Sequence, residues 1–114
     1  MSISEWSESI FIAEVNDEPA FSEEMDALMQ RLDEVPGPLP DVIVNAACVT
    51  YLNSSNIAQL LKLRKRLIDA GTRLRLCGIQ ERVWTVMLAT GLESVFEFTD
   101  DVSTSLASLL IQSD

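Results

Sequence analysis

The chain has 114 residues, 47% of them hydrophobic, no histidine and a formal net charge of −10. That length fits one domain, residues 1–114, with a core of its own. It contains no apolar run near the ~20 residues that a membrane span needs, and the missing histidines remove His-based triads and most zinc sites.

The charge is unevenly placed. Residues 1–41 carry eleven acids and one base, Arg31, whereas residues 42–114 carry seven of each, with every base between Lys62 and Arg82. Such a balance repels phosphate and argues against nucleic-acid binding. The basic stretch is either a solvated helix face or a dock for an acidic partner. The opening "MSISEWSESIF" lacks the basic start of an export signal, so a cytoplasmic protein is expected, without membrane insertion. Cys48 and Cys77 stand far apart in apolar surroundings and are expected to be small buried hydrophobes, not a disulfide.

In chain order, "SIFIAEV" (residues 9–15) has the partly alternating apolar character of a strand. "ISEW" before it could be a short partner strand, with "SES" as the turn and Trp6 covering the sheet edge. A helix is expected over "EPAFSEEMDALMQRLDEV". Pro19 suits a first helical turn, and Phe21, Met25, Leu28, Met29 and Leu32 repeat at helical spacing. Its acids Glu23, Glu24 and Asp26 could hint at a metal site, but an exposed helix start makes solvated charge the expectation, and no metal or cofactor is expected. "PGPLP" then breaks the chain.

"DVIVNAACVTYL" (residues 41–52) is β-branched and nearly uncharged, the pattern of a buried central strand. "SSNIAQLLKLRKRLIDAG" predicts a helix with Ile57, Leu60, Leu61, Arg64, Leu67 and Ile68 on its inner face and Gly71 as its stop. "TRLRLCGI" alternates basic and apolar residues, which predicts a strand covered on one face. "ERVWTVMLATGL" predicts a short helix ended by Gly91, "SVFEF" another strand, and "DDVSTSLASLLIQS" a closing helix with Val102, Leu106, Leu109 and Leu110 turned inward. Strands alternating with helices imply an α/β sheet with parallel pairs and right-handed crossovers.

In such a sheet ligands and modifications gather where strands end and helices begin. "LNSSN" is such a place. A serine or asparagine there can cap the helix, worth ~1 kcal/mol. A phosphate there would face the positive end of the helix dipole and its free N–H groups. From the residues alone, Ser54 and Ser55 are either a cap or a modified site. Lys62, Arg64, Lys65 and Arg66 follow on the same helix as solvated charges or docking residues. Trp84 and Met87 are core residues or part of an apolar contact patch. With no histidine and no lysine in the loop, a nucleophilic Ser54 has no evident base, so catalysis is not expected.

Residues 41–110 resemble the STAS domain of bacterial anti-sigma factor antagonists. The landmarks are the apolar strand, "VTYLNSSN" at the family's Val-Thr-Phe and Asp-Ser-Ser-Gly-Leu segments, a leucine-rich helix ending in "AG", a helix ending in "TGL", and "FEF". The resemblance implies a STAS-like fold, with a mixed four- to five-stranded sheet and about four helices. It further implies a non-enzymatic partner switch. An anti-sigma factor that is also a serine kinase would bind the unmodified protein and release it once Ser54, or alternatively Ser55, is phosphorylated. The implied contact residues are Asn53, Ser54, Ser55, Asn56, Lys62 and Trp84, and a weak homodimer is allowed. The chain departs from the pattern at Asn53, where the family has Asp, and at Asn56, where it has Gly. These departures open an alternative, an unphosphorylated STAS module acting as a subunit of a lipid-transport or stress-signalling complex.

Overall fold

A computed structural model describes residues 2–111. They form β1 (Ser2–Ser7), β2 (Ile10–Asn16), α1 (Ala20–Asp33), β3 (Asp41–Cys48), α2 (Ser54–Asp69), β4 (Leu74–Cys77), α3 (Glu81–Thr90), a 3-10 turn (Leu92–Ser94), β5 (Phe98–Thr99) and α4 (Val102–Ile111). The expected end of the closing helix at residues 112 and 113 lies outside the described residues.

The five strands line up as β1-β2-β3-β4-β5 in one mixed sheet. β1 and β2 are an antiparallel hairpin, as the "ISEW" reading expects, and every later pair is parallel. This order follows from short right-handed crossovers, each placing the next strand beside the last. One core contains Phe11, Val15, Val42, Val44, Leu74 and Leu76 together with α1, α2 and α3. On the opposite face Ile10, Ile43 and Cys77 pack under Leu109 of α4. The run "VIV" of β3 is buried because it is central and covered on both sides.

Several expectations need correction. β4 is buried at all four positions, and Arg75 is only 7% exposed, because α4 covers the face predicted to be open. Arg75 survives there by donating to Ser108 Oγ and the Leu74 carbonyl. In α2 the inner residues are Asn56, Leu60, Leu63 and Leu67; Leu61 and Ile68 are exposed. In α4 Leu110 is exposed and Ser105 is fully buried. The "SVFEF" strand shrinks to Phe98–Thr99. Its start is held off the sheet because Arg64 Nε takes the Val95 carbonyl, 3.0 Å away. Trp6 is 50% exposed at a bulge in β1, and Cys48 is exposed while Cys77 is buried. Burial raises the Cys77 thiol pKa, which disfavours the thiolate.

Gly71 ends α2 as expected. Its φ of 78° is a left-handed geometry that glycine takes without steric cost. Gly78, at φ 71°, closes β4 where a Cβ would sit 3.0 Å from Asn45 Oδ1.

Candidate functional site

Four helices begin at the carboxyl end of the parallel strands, and the loops entering α1 and α2 are tied together there. Pro19 has no side chain to cap α1, and Glu18 does so instead. Its carboxylate accepts from the Ser22 N–H at 2.8 Å and the Ser22 hydroxyl at 2.6 Å. One residue earlier, Asp17 accepts from the N–H and the hydroxyl of Thr50, across the gap between the two loops. These bonds favour the ionised acids. The Thr50 hydroxyl foremost holds Asp17 below its ordinary pKa, and the Ser22 hydroxyl foremost does the same for Glu18.

The loop entering α2 is closed by a reciprocal pair. Asn53 Oδ1 accepts from the Asn56 N–H at 2.8 Å, and Asn56 Oδ1 accepts from the Asn53 N–H at 3.1 Å. The pair forms a capping box built from two amides. The Asn56 amide nitrogen then donates to Glu18 Oε2 at 3.1 Å and to Gln59 Oε1 at 3.4 Å. Gln59 in turn donates to Ser22 Oγ. Asn56 is consequently 1% exposed with its polar atoms paired. Asn56, implied as a contact residue, thus turns its side chain into the network between the two loops. Its backbone is helical, with a negative φ.

With Asn53 as the cap, Ser54 and Ser55 are free of that task. Both are exposed in the first turn of α2, and neither hydroxyl has a partner among the described residues. Their backbone N–H groups also lack an intrahelical acceptor, as first-turn donors must. That turn contains no acid. The arrangement presents two hydroxyls beside a helix N-terminus, with no base bonded to either. Without a bonded base, neither hydroxyl is activated for catalysis by this chain's own residues.

The other expected contact residues are farther out. Lys62 is exposed and lines a groove of about 350 Å³ between α1 and α2, opposite Asp26 and Asp33. Trp84 is half-buried on α3, with its ring edge-on to Phe98 at 5.1 Å. Met87 is fully buried. The basic stretch is largely consumed by the fold. Arg64 holds Val95, Lys65 pairs with Asp69, Arg66 with Asp33 and Arg73 with Asp41. Only Lys62 and Arg82 have no partner among the described residues. Glu24, expected to be solvated, is 5% exposed, and its carboxylate accepts from the Asn16 N–H and side-chain amide. Sequence reasoning missed the roles of Asp17, Glu18 and Thr50. Their one signal was three polar residues at the ends of strands.

A mixed sheet with three crossover helices on one face and a closing helix on the other is the architecture of a STAS domain. The STAS domain model matches residues 2–105, and the chain belongs to this family. No curated protein matches it in sequence. Among solved structures it resembles a serine-to-glutamate variant of RsbS from Moorella thermoacetica at TM-score 0.81 and 13% identity, covering 98% of this chain and 96% of that one. It also resembles an anti-sigma-factor antagonist domain protein from Planctomyces limnophilus at TM-score 0.81 and 14% identity, covering 96% and 97%. A sulfate transporter family protein from Wolinella succinogenes has TM-score 0.76 and 21% identity, over 90% and 85%. Identities this low speak for the fold. Among the described residues, no helix is long and apolar enough to cross a membrane.

Proposed function

We propose that this protein is an anti-sigma factor antagonist that works by partner switching, without catalysis of its own. Unmodified, it binds an anti-sigma factor through Asn53, Ser54, Ser55 and the neighbouring surface of α2, with Lys62 and Trp84 at the margins. The partner is also the kinase, and phosphorylation of Ser54, or alternatively Ser55, ends the complex. The observation that carries this reading is the division of labour at α2. Asn53 and Asn56 do the capping, which leaves both serine hydroxyls exposed and unused. A phosphate there adds about −1.5 to −2 charges. Within an interface those charges bring desolvation and repulsion. The STAS family and neighbours described as anti-sigma factor antagonists support the same reading.

The test is capture of an ATP-dependent serine kinase by the full chain, followed by phosphotransfer and mass-spectrometric mapping. Phosphate on Ser54 or Ser55 is expected, and unmodified serines after complete kinase turnover on a control substrate would sink the proposal. One observation favours the second reading, a constitutive subunit of a lipid-transport or stress-signalling assembly. The Asn56–Glu18 contact pins the loop in one conformation, which suits a permanent binder. Stable recovery with such an assembly, regardless of ATP, would select it.

A further inference from the structure

The face of the sheet under α4 is only half covered. α4 packs against β3, β4 and β5. Ser105 and Ser108 point along its β4–β5 flank, bonding Thr99 and Arg75. On a helix, Leu106 and Leu110 then fall on the opposite flank, toward β2 and β1. Alternation along the hairpin puts Ser4, Ile12 and Glu14 on the same face, and the bulge between Glu5 and Ser7 turns Trp6 to the side of Ile10. The result is a trough. Ile12 and Leu106 form its floor, packed against the buried cluster under α4. Its walls are Trp6, 50% exposed, and Leu110, 54% exposed. An exposed tryptophan beside an exposed leucine on an open sheet face is a binding surface by composition.

Charge selects the occupant. Glu14 stands on this face, exposed and without a partner among the described residues, whereas Glu8 at the hairpin turn lines the groove beside Phe11 and Arg31 on the other side of the sheet. Residues 2–16 contain no base, and Arg31, the one base in residues 1–41, is engaged by Glu5. A second copy would bring a net charge of −10 to a chain that already carries −10. We infer that this trough docks a cationic amphipathic helix of a partner protein, laying an apolar stripe along Trp6 and Leu110 with a Lys or Arg over Glu14. The surface lies on the opposite side of the sheet from α2, so it stands independently of the phosphoserine reading.

The test uses the full chain and a synthetic amphipathic helix of Lys and Leu, with a Glu/Leu helix of the same pattern as control, read by isothermal titration. Binding of the Lys/Leu helix alone is expected. It should weaken at least tenfold in Trp6→Ser and in Leu110→Ser, weaken in Glu14→Lys, and stay unchanged in Leu88→Ser, an exposed leucine on α3. Circular dichroism checks that each variant folds, and either trough variant suffices if the other does not. Equal binding of both helices, or loss shared by Leu88→Ser, would overturn the inference. So would sedimentation showing a dimer that Trp6→Ser dissolves, since a second copy would then be the occupant.

Discussion

Asn56, in the first turn of α2, donates its side-chain amide to the carboxylate of Glu18, the residue that caps α1. Thirty-eight positions apart in sequence, the two residues bind the loops of the candidate site into one unit. Removing the amide leaves the Asn53 N–H and one Glu18 lone pair without their partners. Asn56→Ala should therefore cost about 1–3 kcal/mol, the range for breaking a buried hydrogen-bonded group. Asn56→Asp should cost at least as much, since it sets a second carboxylate against Glu18. Chemical denaturation at neutral pH measures both. An Asn56→Ala protein as stable as the parent would show that the contact has no energetic role.

Asn53 is the simpler case. Its Oδ1 satisfies one orphan N–H, so Asn53→Ala should lose about 0.5–2 kcal/mol. Asn53→Asp keeps an acceptor and adds a negative charge at the positive end of the helix, worth roughly 0.3–1 kcal/mol in favour. The expected order in thermal unfolding is Asp at or above Asn, and both above Ala. An Asp variant less stable than Ala would refute the capping account, pointing to repulsion from the nearby carboxylates instead.

How far the fold was legible follows from which contacts are local. Strand and helix order could be read from apolar periodicity, and the terminal glycines marked the ends of α2 and α3. The errors cluster at polar residues whose partners lie far along the chain. Glu24, Asn56, Arg75 and Ser105 are all buried. Each is tolerated because a partner on another element satisfies it: Asn16, Glu18, Ser108 and Thr99 respectively. No local pattern announces such a pair. The serines of the site were visible as residue types in a strand-to-helix loop. The carboxylates Asp17 and Glu18 were not, because their importance arises only when β2 and β3 become neighbours.

The phase of α2 is a misreading of the same origin, and it yields a sharp contrast. The sequence places Ile57, Leu60, Leu61, Arg64, Leu67 and Ile68 on the inner face, without Asn56 or Leu63. The structure keeps Leu60 and Leu67, adds Leu63 and Asn56, and leaves Leu61 and Ile68 exposed. Leu63→Ala should then cost about 2–5 kcal/mol, as for a filled core position. Leu61→Ala, on the exposed side, should stay near ±0.5 kcal/mol. Comparable losses from the two substitutions would contradict the seam.

Acid stability should carry the signature of the loop carboxylates. Asp17, Glu18 and Asp101 are all held below their ordinary pKa values in the folded protein, by Thr50, Ser22 and Thr104. A carboxyl whose folded pKa lies below its unfolded one stabilises the fold while it is ionised. Their contribution is complete above the ordinary values of 3.8 and 4.5 and is lost as pH falls through the lowered folded values. Asp17→Asn should therefore be less stable than the parent at neutral pH, with a shallower decline between about pH 5 and pH 3. The decline persists in part, because Glu18 and Asp101 still titrate. A stability-versus-pH curve parallel to the parent throughout would remove Asp17 from the linkage.

The switch itself is best probed where folding and binding can be separated, and Ser54 offers that separation. Its hydroxyl has no partner among the described residues and its side chain is exposed. Ser54→Ala should therefore fold with stability within about ±0.5 kcal/mol of the parent. Ser54→Asp puts a negative charge in the first helical turn, where the dipole favours it by roughly 0.3–1 kcal/mol. Both variants should be folded, and any difference in binding then belongs to the interface. Affinity for the captured anti-sigma factor, measured by isothermal titration, should survive in Ser54→Ala and fall at least tenfold in Ser54→Asp. The same pair of substitutions at Ser55 separates the two serines, since only the residue at which Asp, and not Ala, weakens the complex can be the switch. If all four variants bind as tightly as the parent, the turn is a permanent contact surface and phosphorylation has no part in releasing the partner.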